Sequence, residues 1–214
     1  MDRFTGSDLL CIRGQRMVFT GLDFEVSAGG ALILVGPNGS GKSSLLRLMA
    51  RLLKPVAGGM AWNSEDVSDD PDAHNARLHY VGHMDAVKPV LSVAENVRFW
   101  AGLRPNGQAD PVAATARALE TFGISHLADI PGRFLSAGQR RRVNLARIVA
   151  SPAPLWLLDE PTTALDKQAI ASLEGAIIEH QRGGGMVVLA THAAIEAQTP
   201  SVLDLGDFEM AEVA

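Results

Sequence analysis

Apolar residues recur along this chain in three rhythms, and each predicts a different element. Near the start they form short or alternating runs at residues 9–12, 17–19 and 22–26, broken by Gly14 and Gly21, which predicts β structure. A turn at 27–30 leads into the wholly apolar run 31–35, the pattern of a strand buried on both faces of a parallel sheet. A glycine-rich loop follows. Beyond it Leu45, Leu46, Leu48, Met49, Leu52 and Leu53 recur at helical spacing until Pro55 and the Gly58-Gly59 pair stop the helix.

The middle of the chain reads as helical. Ser92 and Glu95 have the spacing of a capping box, opening a helix that carries Val93, Val97, Phe99 and Trp100. Asp110-Pro111 is a cap with a first-turn proline, and Gly123 closes that helix. Residues 86–138 are therefore expected to form a helical lobe inserted into a core made of 1–85 and 139–214, the whole being one domain. Apolar runs at 155–158 and 186–190, the second behind Gly183-Gly184-Gly185, return the chain to the sheet. Residues 202–205 and 208–210, around Gly206-Asp207, predict a terminal hairpin.

Composition narrows the classes. The 214 residues are 47% hydrophobic and 20% charged, which excludes a disordered chain. No apolar run approaches the ~20 residues of a membrane span. Asp2, Asp8 and Arg13 interrupt any signal-like stretch, so the chain is expected to stay in the cytosol. A single cysteine, Cys11, excludes an internal disulfide and a multi-cysteine metal site, and its strand pattern predicts a buried thiol. A formal charge of -5 argues against nucleic acid or anionic lipid bound by bulk electrostatics.

The glycine loop carries the first chemistry. Gly36, Pro37, Asn38, Gly39, Ser40, Gly41, Lys42 and Ser43 fit G-x-x-x-x-G-K-[ST], between a predicted strand and a predicted helix. Glycines let the backbone wrap a phosphate so that N–H groups point inward, and the helix start adds its positive dipole end. Lys42 is placed to reach the β- and γ-phosphates of a nucleotide, and the Ser43 hydroxyl to ligate Mg²⁺. A second strand, 155–158, ends in Asp159 and Glu160. Alone that is a solvated strand terminus. Beside a phosphate loop, Asp159 completes a Mg²⁺ shell and Glu160 polarises the attacking water. Leu135, Ser136, Ala137, Gly138 and Gln139 precede an amphipathic segment, and by themselves describe a capped helix with Arg140 to Arg142 as a solvated face.

The order of the pieces resembles the ATP-binding-cassette (ABC) ATPases: phosphate loop, helical lobe, LSAGQ, LWLLDEP, then Thr163 to Asp166, then Thr191-His192. The resemblance covers nearly the whole chain. It implies an α/β P-loop NTPase with a RecA-like core, an N-terminal antiparallel β region and an inserted helical lobe. It implies that residues 135–139 are the signature motif, meeting ATP held by a second protomer in a head-to-tail dimer. It places Asp166 in the loop joining the two sites and His192 beside the γ-phosphate, and adds Ser44 to the nucleotide contacts. Where the family has a glutamine ahead of the lobe, this chain has His83, whose imidazole nitrogen can replace the glutamine oxygen as a hydrogen-bond acceptor. Arg13 occupies the adenine-stacking position, so stacking there would be through a cation.

Gly82-His83, Asp129-Ile130-Pro131 and the Arg13-Gly14-Gln15-Arg16 start are similar to the haem-export ATPases of cytochrome c biogenesis. That similarity implies integral membrane partner subunits, a peripheral place on the cytoplasmic face of the inner membrane, and no haem bound on this chain. A cassette exporting another cargo, or a soluble assembly factor, would share most of these motifs. The remaining histidines, His74, His79, His126 and His180, show no ligand spacing.

Overall fold

A computed structural model describes residues 1–103 and 110–208. Strands β1 (Arg3–Arg13) and β2 (Arg16–Ser27) pair antiparallel, and β4 (Ala57–Trp62) and the short β5 (Glu65–Asp66) extend them in the order β2-β1-β4-β5. The inner faces of this sheet supply Phe4, Leu9, Phe19 and Leu22, all fully buried. They close on Leu45, Leu46, Leu48 and Met49 of α1 (Lys42–Met49).

The second sheet is parallel. Its order is β6 (Leu78–Val81), β7 (Leu155–Asp159), β8 (Met186–Ala190), β3 (Ala31–Val35), β9 (Pro200–Asp204). Every residue of β7 and β8 is buried, as continuous apolar runs between two covered faces require. Helices α3 (Val93–Leu103), α4 (Pro111–Thr121), α5 (Ala137–Ala150) and α6 (Lys167–Arg182) share a second core with the sheet, centred on Phe122, Leu145, Ile148 and Leu158. The caps read from sequence are formed. Ser92 and Glu95 close a capping box at α3, Asp110 caps α4, and Ser136 with Gln139 closes a second box at α5.

Three expectations are corrected. The C-terminal segment is not a hairpin within the described residues: 200–204 runs parallel to β3, Ala31 opposite Pro200 through Val35 opposite Asp204, and Leu205–Phe208 is a 3₁₀ turn. The unpaired edge of β3 is a better partner than a two-stranded ribbon exposed to water; residues 209–210 of that expectation lie outside the described ones. The runs 17–19 and 22–26 belong to one strand, which passes through Gly21 at φ 65°. The helix after the loop ends at Met49, and Gly58-Gly59 lies in β4 instead of a stop. Gly58 has φ 79°, and a Cβ there would stand 2.3 Å from the Asp8 carbonyl oxygen, so only glycine fits. A short helix, α2 (Pro71–Ala76), was not anticipated.

The lone cysteine is buried in β1, and burial pushes its thiol above the usual range. His180 lies flat on Trp156, ring centres 3.9 Å apart, and its Nε2–H donates to the Met186 carbonyl. Burial pushes this imidazole down to about 4. An unfolded histidine takes a proton near 6.5, so stability is unaffected above that value and falls as pH drops from 6.5 toward 4. For one group the slope is up to about 1.4 kcal/mol per pH unit. His180→Phe is expected to flatten the decline of melting temperature between pH 7 and 5.5, leaving a residual slope from His74, which burial also depresses. An unchanged slope would show that His180 is not a protonation liability.

Candidate nucleotide site

The loop after β3 wraps because its glycines take backbone angles that other residues avoid: φ is 127° at Gly36, 89° at Gly39 and 105° at Gly41. At Gly41 a Cβ would also stand 2.5 Å from a methyl of Val18. Gly41 sits at the N-terminus of α1, which has no side-chain cap and no acidic residue in its first turn. Its free N–H groups and positive dipole end therefore face whatever occupies the loop. Lys42 is buried and donates from Nζ to the Gly36 and Pro37 carbonyls at 2.7 and 2.9 Å. The ammonium thus lies within the loop's own concavity. Ser44 is the third residue of the motif's helix, on the same first turn.

Across the sheet, the Ser43 hydroxyl donates to Asp159 Oδ1 at 2.9 Å. The other oxygen, Asp159 Oδ2, is buried without a hydrogen-bond partner among the described residues. An unmatched buried carboxylate oxygen beside a serine hydroxyl fits a hard divalent cation, whose ligands are oxygens. Glu160, the next residue, turns the chain at φ 46° and donates its backbone N–H to the Ala190 carbonyl at the end of β8. Its carboxylate Oε1 lies 3.7 Å from His192 Nε2, which in turn is 3.2 Å from Asn38 Oδ1 of the phosphate loop. Strand ends β3, β7 and β8 therefore bring the loop, Asp159, Glu160 and His192 to one edge of the parallel sheet, where α/β folds bind ligands.

Other sequence-selected residues lie apart from this cluster. His83 is exposed just beyond β6, and no hydrogen bond joins it to Glu160 or the loop among the described residues. Arg13 is exposed at the tip of the β1–β2 hairpin, opposite Arg16. It is Arg16, given no role in the site from sequence, whose Nη1 reaches within 3.9 Å of a Cβ position on Gly39. Ser136, Gly138 and Gln139 face a cleft of about 380 Å³ lined also by Arg142, Ala164 and Asp166, with no phosphate-loop residue in its wall. Leu135 is buried, while Ala137 is exposed at the first turn of α5. A Cβ on Gly138 would stand 2.7 Å from the Ala164 carbonyl oxygen, which ties the motif to the loop before α6. Asp166 caps α6 by accepting from the Ala169 N–H at 2.9 Å, and pairs with Arg142.

The arginines after Gln139 are not a solvated face. Arg140 donates to the Leu135 carbonyl at 2.6 Å, Arg142 binds Asp166, and Arg141 is 3% exposed. Burial of Arg141 was missed because its partners are remote in sequence; an uninterrupted arginine run on an otherwise apolar helix was the available signal.

The model of the ABC transporter family matches residues 19–163, from within β2 to beyond Glu160. The chain belongs to the ABC transporter family. This ABC ATPase is 59% identical over 209 residues to the "Cytochrome c biogenesis ATP-binding export protein CcmA" of Paramagnetospirillum magneticum, covering 98% of this chain and 96% of that one. Among solved structures it is similar to an ATP-binding subunit of an ABC transporter (22% identity, TM-score 0.83, 95% of this chain and 86% of that chain). It is also similar to a dimeric ATP-binding cassette bound to ADP and Pi (24% identity, TM-score 0.76, 89% and 88% covered). These two share its fold. As a member of the family, this chain binds ATP and hydrolyses it in support of transport.

Proposed function

We propose that this ABC ATPase hydrolyses MgATP to support haem export or delivery in c-type cytochrome biogenesis, as a peripheral subunit on the cytoplasmic face of the inner membrane. The observation that carries the biological assignment is the 59% identity, end to end, with the Paramagnetospirillum protein of that name. The chemistry rests on the cluster of Lys42, Ser43, Asp159, Glu160 and His192. Among the described residues no helix is long and apolar enough to cross a membrane; in this reading integral membrane partner subunits form the path. Exposed Val90, in the loop after His83, and exposed Phe134 lie on adjoining segments and offer apolar side chains to such a partner. The two segments are joined by bonds from Gly132 N to Leu91 O and Arg133 N to Pro89 O.

In this reading the chain is one domain whose helical lobe, 86–138, is set into a core of 1–85 and 139–214. Loop amides of 36–44 and Lys42 hold the β- and γ-phosphates, and Arg13 flanks the base. Ser43 and Asp159 would hold Mg²⁺, which supplies charge neutralisation at the phosphates. Glu160 orients water against the γ-phosphorus and takes its proton as the bond to the β-phosphate oxygen breaks, while His192 steadies the γ-phosphate. The signature residues 135–139 lie away from their own phosphate loop, which supports a head-to-tail dimer in which each copy completes the other's site, with Asp166 at the junction.

Deletion of the gene is expected to abolish c-type cytochromes in reduced-minus-oxidised spectra of membranes, while b-type bands persist. Normal c-type content would overturn the haem assignment and leave the ATPase in service of another cargo. His83→Ala is expected to lower turnover with little change in melting temperature, because the side chain is exposed. Equal activity at equal stability would remove His83 from the site.

A further inference from the structure

We propose that Arg141 is a positioning residue for hydrolysis, one buried guanidinium that holds the water-polarising Glu160 and the His83 loop in a common register; this rests on the assignment of Glu160 proposed above. On one side Arg141 donates to three consecutive carbonyls: Asp159 (2.9 Å), Glu160 (2.8 Å) and Pro161 (3.3 Å). On the other it donates to the Gly82 carbonyl at 2.9 Å and to Asp85 Oδ1 at 3.3 Å. These five bonds match the five N–H groups of a guanidinium. The two sets of acceptors bracket the two residues that matter. Glu160 lies at the centre of the first, and His83 between the members of the second.

The grip on Glu160 has a physical purpose. Its φ of 46° is a left-handed conformation that a side chain other than glycine adopts at a cost, and such a conformation persists only when its surroundings over-determine it. Arg141 supplies that constraint from below, and the Ala190 carbonyl, accepting the Glu160 N–H, supplies it from the side. The Asp85 carboxylate is also held by Asn144 of the same helix at 3.3 Å, and Arg147, one helical turn further on, donates to the Tyr80 carbonyl while stacking on Trp100. Helix α5 therefore grips the chain at Tyr80, Gly82 and Asp85 with three side chains. Its first residue follows the Ser136 cap, and Arg142 binds Asp166. One helix thus links the signature motif to the backbone that carries Glu160. The guanidinium is the part that spans the gap, since lysine offers a single point of attachment.

The test uses Arg141→Lys, which keeps the charge and loses the fork. Single-turnover and steady-state hydrolysis should show kcat reduced by roughly 10- to 100-fold with the KM for ATP little changed, because the phosphate loop is untouched. Introduced together with Glu160→Gln, Arg141→Lys should cost almost nothing further, since it acts through the carboxylate already removed. Wild-type kcat in Arg141→Lys, or losses that multiply in the double variant, would overturn the proposal. If Arg141→Lys melts early, Asp85→Asn decides: that partly exposed side chain is one arm of the network, and several-fold lower kcat at normal melting temperature is expected. Unchanged kcat in Asp85→Asn would then overturn the proposal. Normal turnover in Glu160→Gln by itself would instead defeat the assignment of Glu160.

Discussion

Glu160→Gln is expected to bind ATP normally and to hydrolyse it at least about 100-fold more slowly, the range lost with a positioned general base. The carboxylate stands at the end of β7, 3.7 Å from His192 Nε2, and His192 touches Asn38 of the phosphate loop. The change to an amide keeps size and shape but removes the negative charge and the basic oxygen that receives the water's proton. It leaves Lys42, the loop amides and Ser43 in place, so affinity for nucleotide is preserved. The proposed dimer adds a second expectation: with chemistry blocked, MgATP should hold two copies together, doubling the mass seen by light scattering. Hydrolysis near the wild-type rate would remove Glu160 from the mechanism.

Lys42→Ala is expected to act on the other side of the reaction. The ammonium donates to the Gly36 and Pro37 carbonyls and is buried, so it is held where phosphate charge would arrive. Charge-assisted hydrogen bonds of this kind are worth roughly 1.5–3 kcal/mol each, which predicts an affinity loss of about 10- to 100-fold or more. Hydrolysis falls with it, since the same cation meets the charge that develops on the γ-phosphoryl group. Isothermal titration with a non-hydrolysable ATP analogue checks this directly. Unchanged affinity would mean that the loop is not the phosphate cradle.

The parts of this molecule that were legible in its sequence are those whose determinants are local. An apolar run, a glycine motif and helical spacing are contiguous at 31–49, and the caps at Ser92, Asp110 and Ser136 each need only a few residues. What escaped depends on distant pairing. Strand β9 reads locally as half of a hairpin because its partner, β3, lies at the other end of the chain. Arg141 looked like solvated charge because the Gly82 and Glu160 carbonyls that bury it belong to other elements. Arg16 is given no role in the site from sequence, because its approach to Gly39 depends on how a hairpin folds across the loop. For the candidate site, residue types and order placed Lys42, Ser43, Asp159, Glu160 and His192 near one another. The unmatched Asp159 Oδ2 and the left-handed turn at Glu160, which give that group its chemical character, are visible only in three dimensions.

In the proposed function, ATP hydrolysis at this site supports c-type cytochrome maturation. Its most direct test is a haem stain of membrane proteins, separated by denaturing electrophoresis, from a host lacking this gene and complemented with wild type or Glu160→Gln at matched expression. Stained c-type cytochromes are expected with wild type and none with Glu160→Gln. Equal staining with the two proteins would contradict that function.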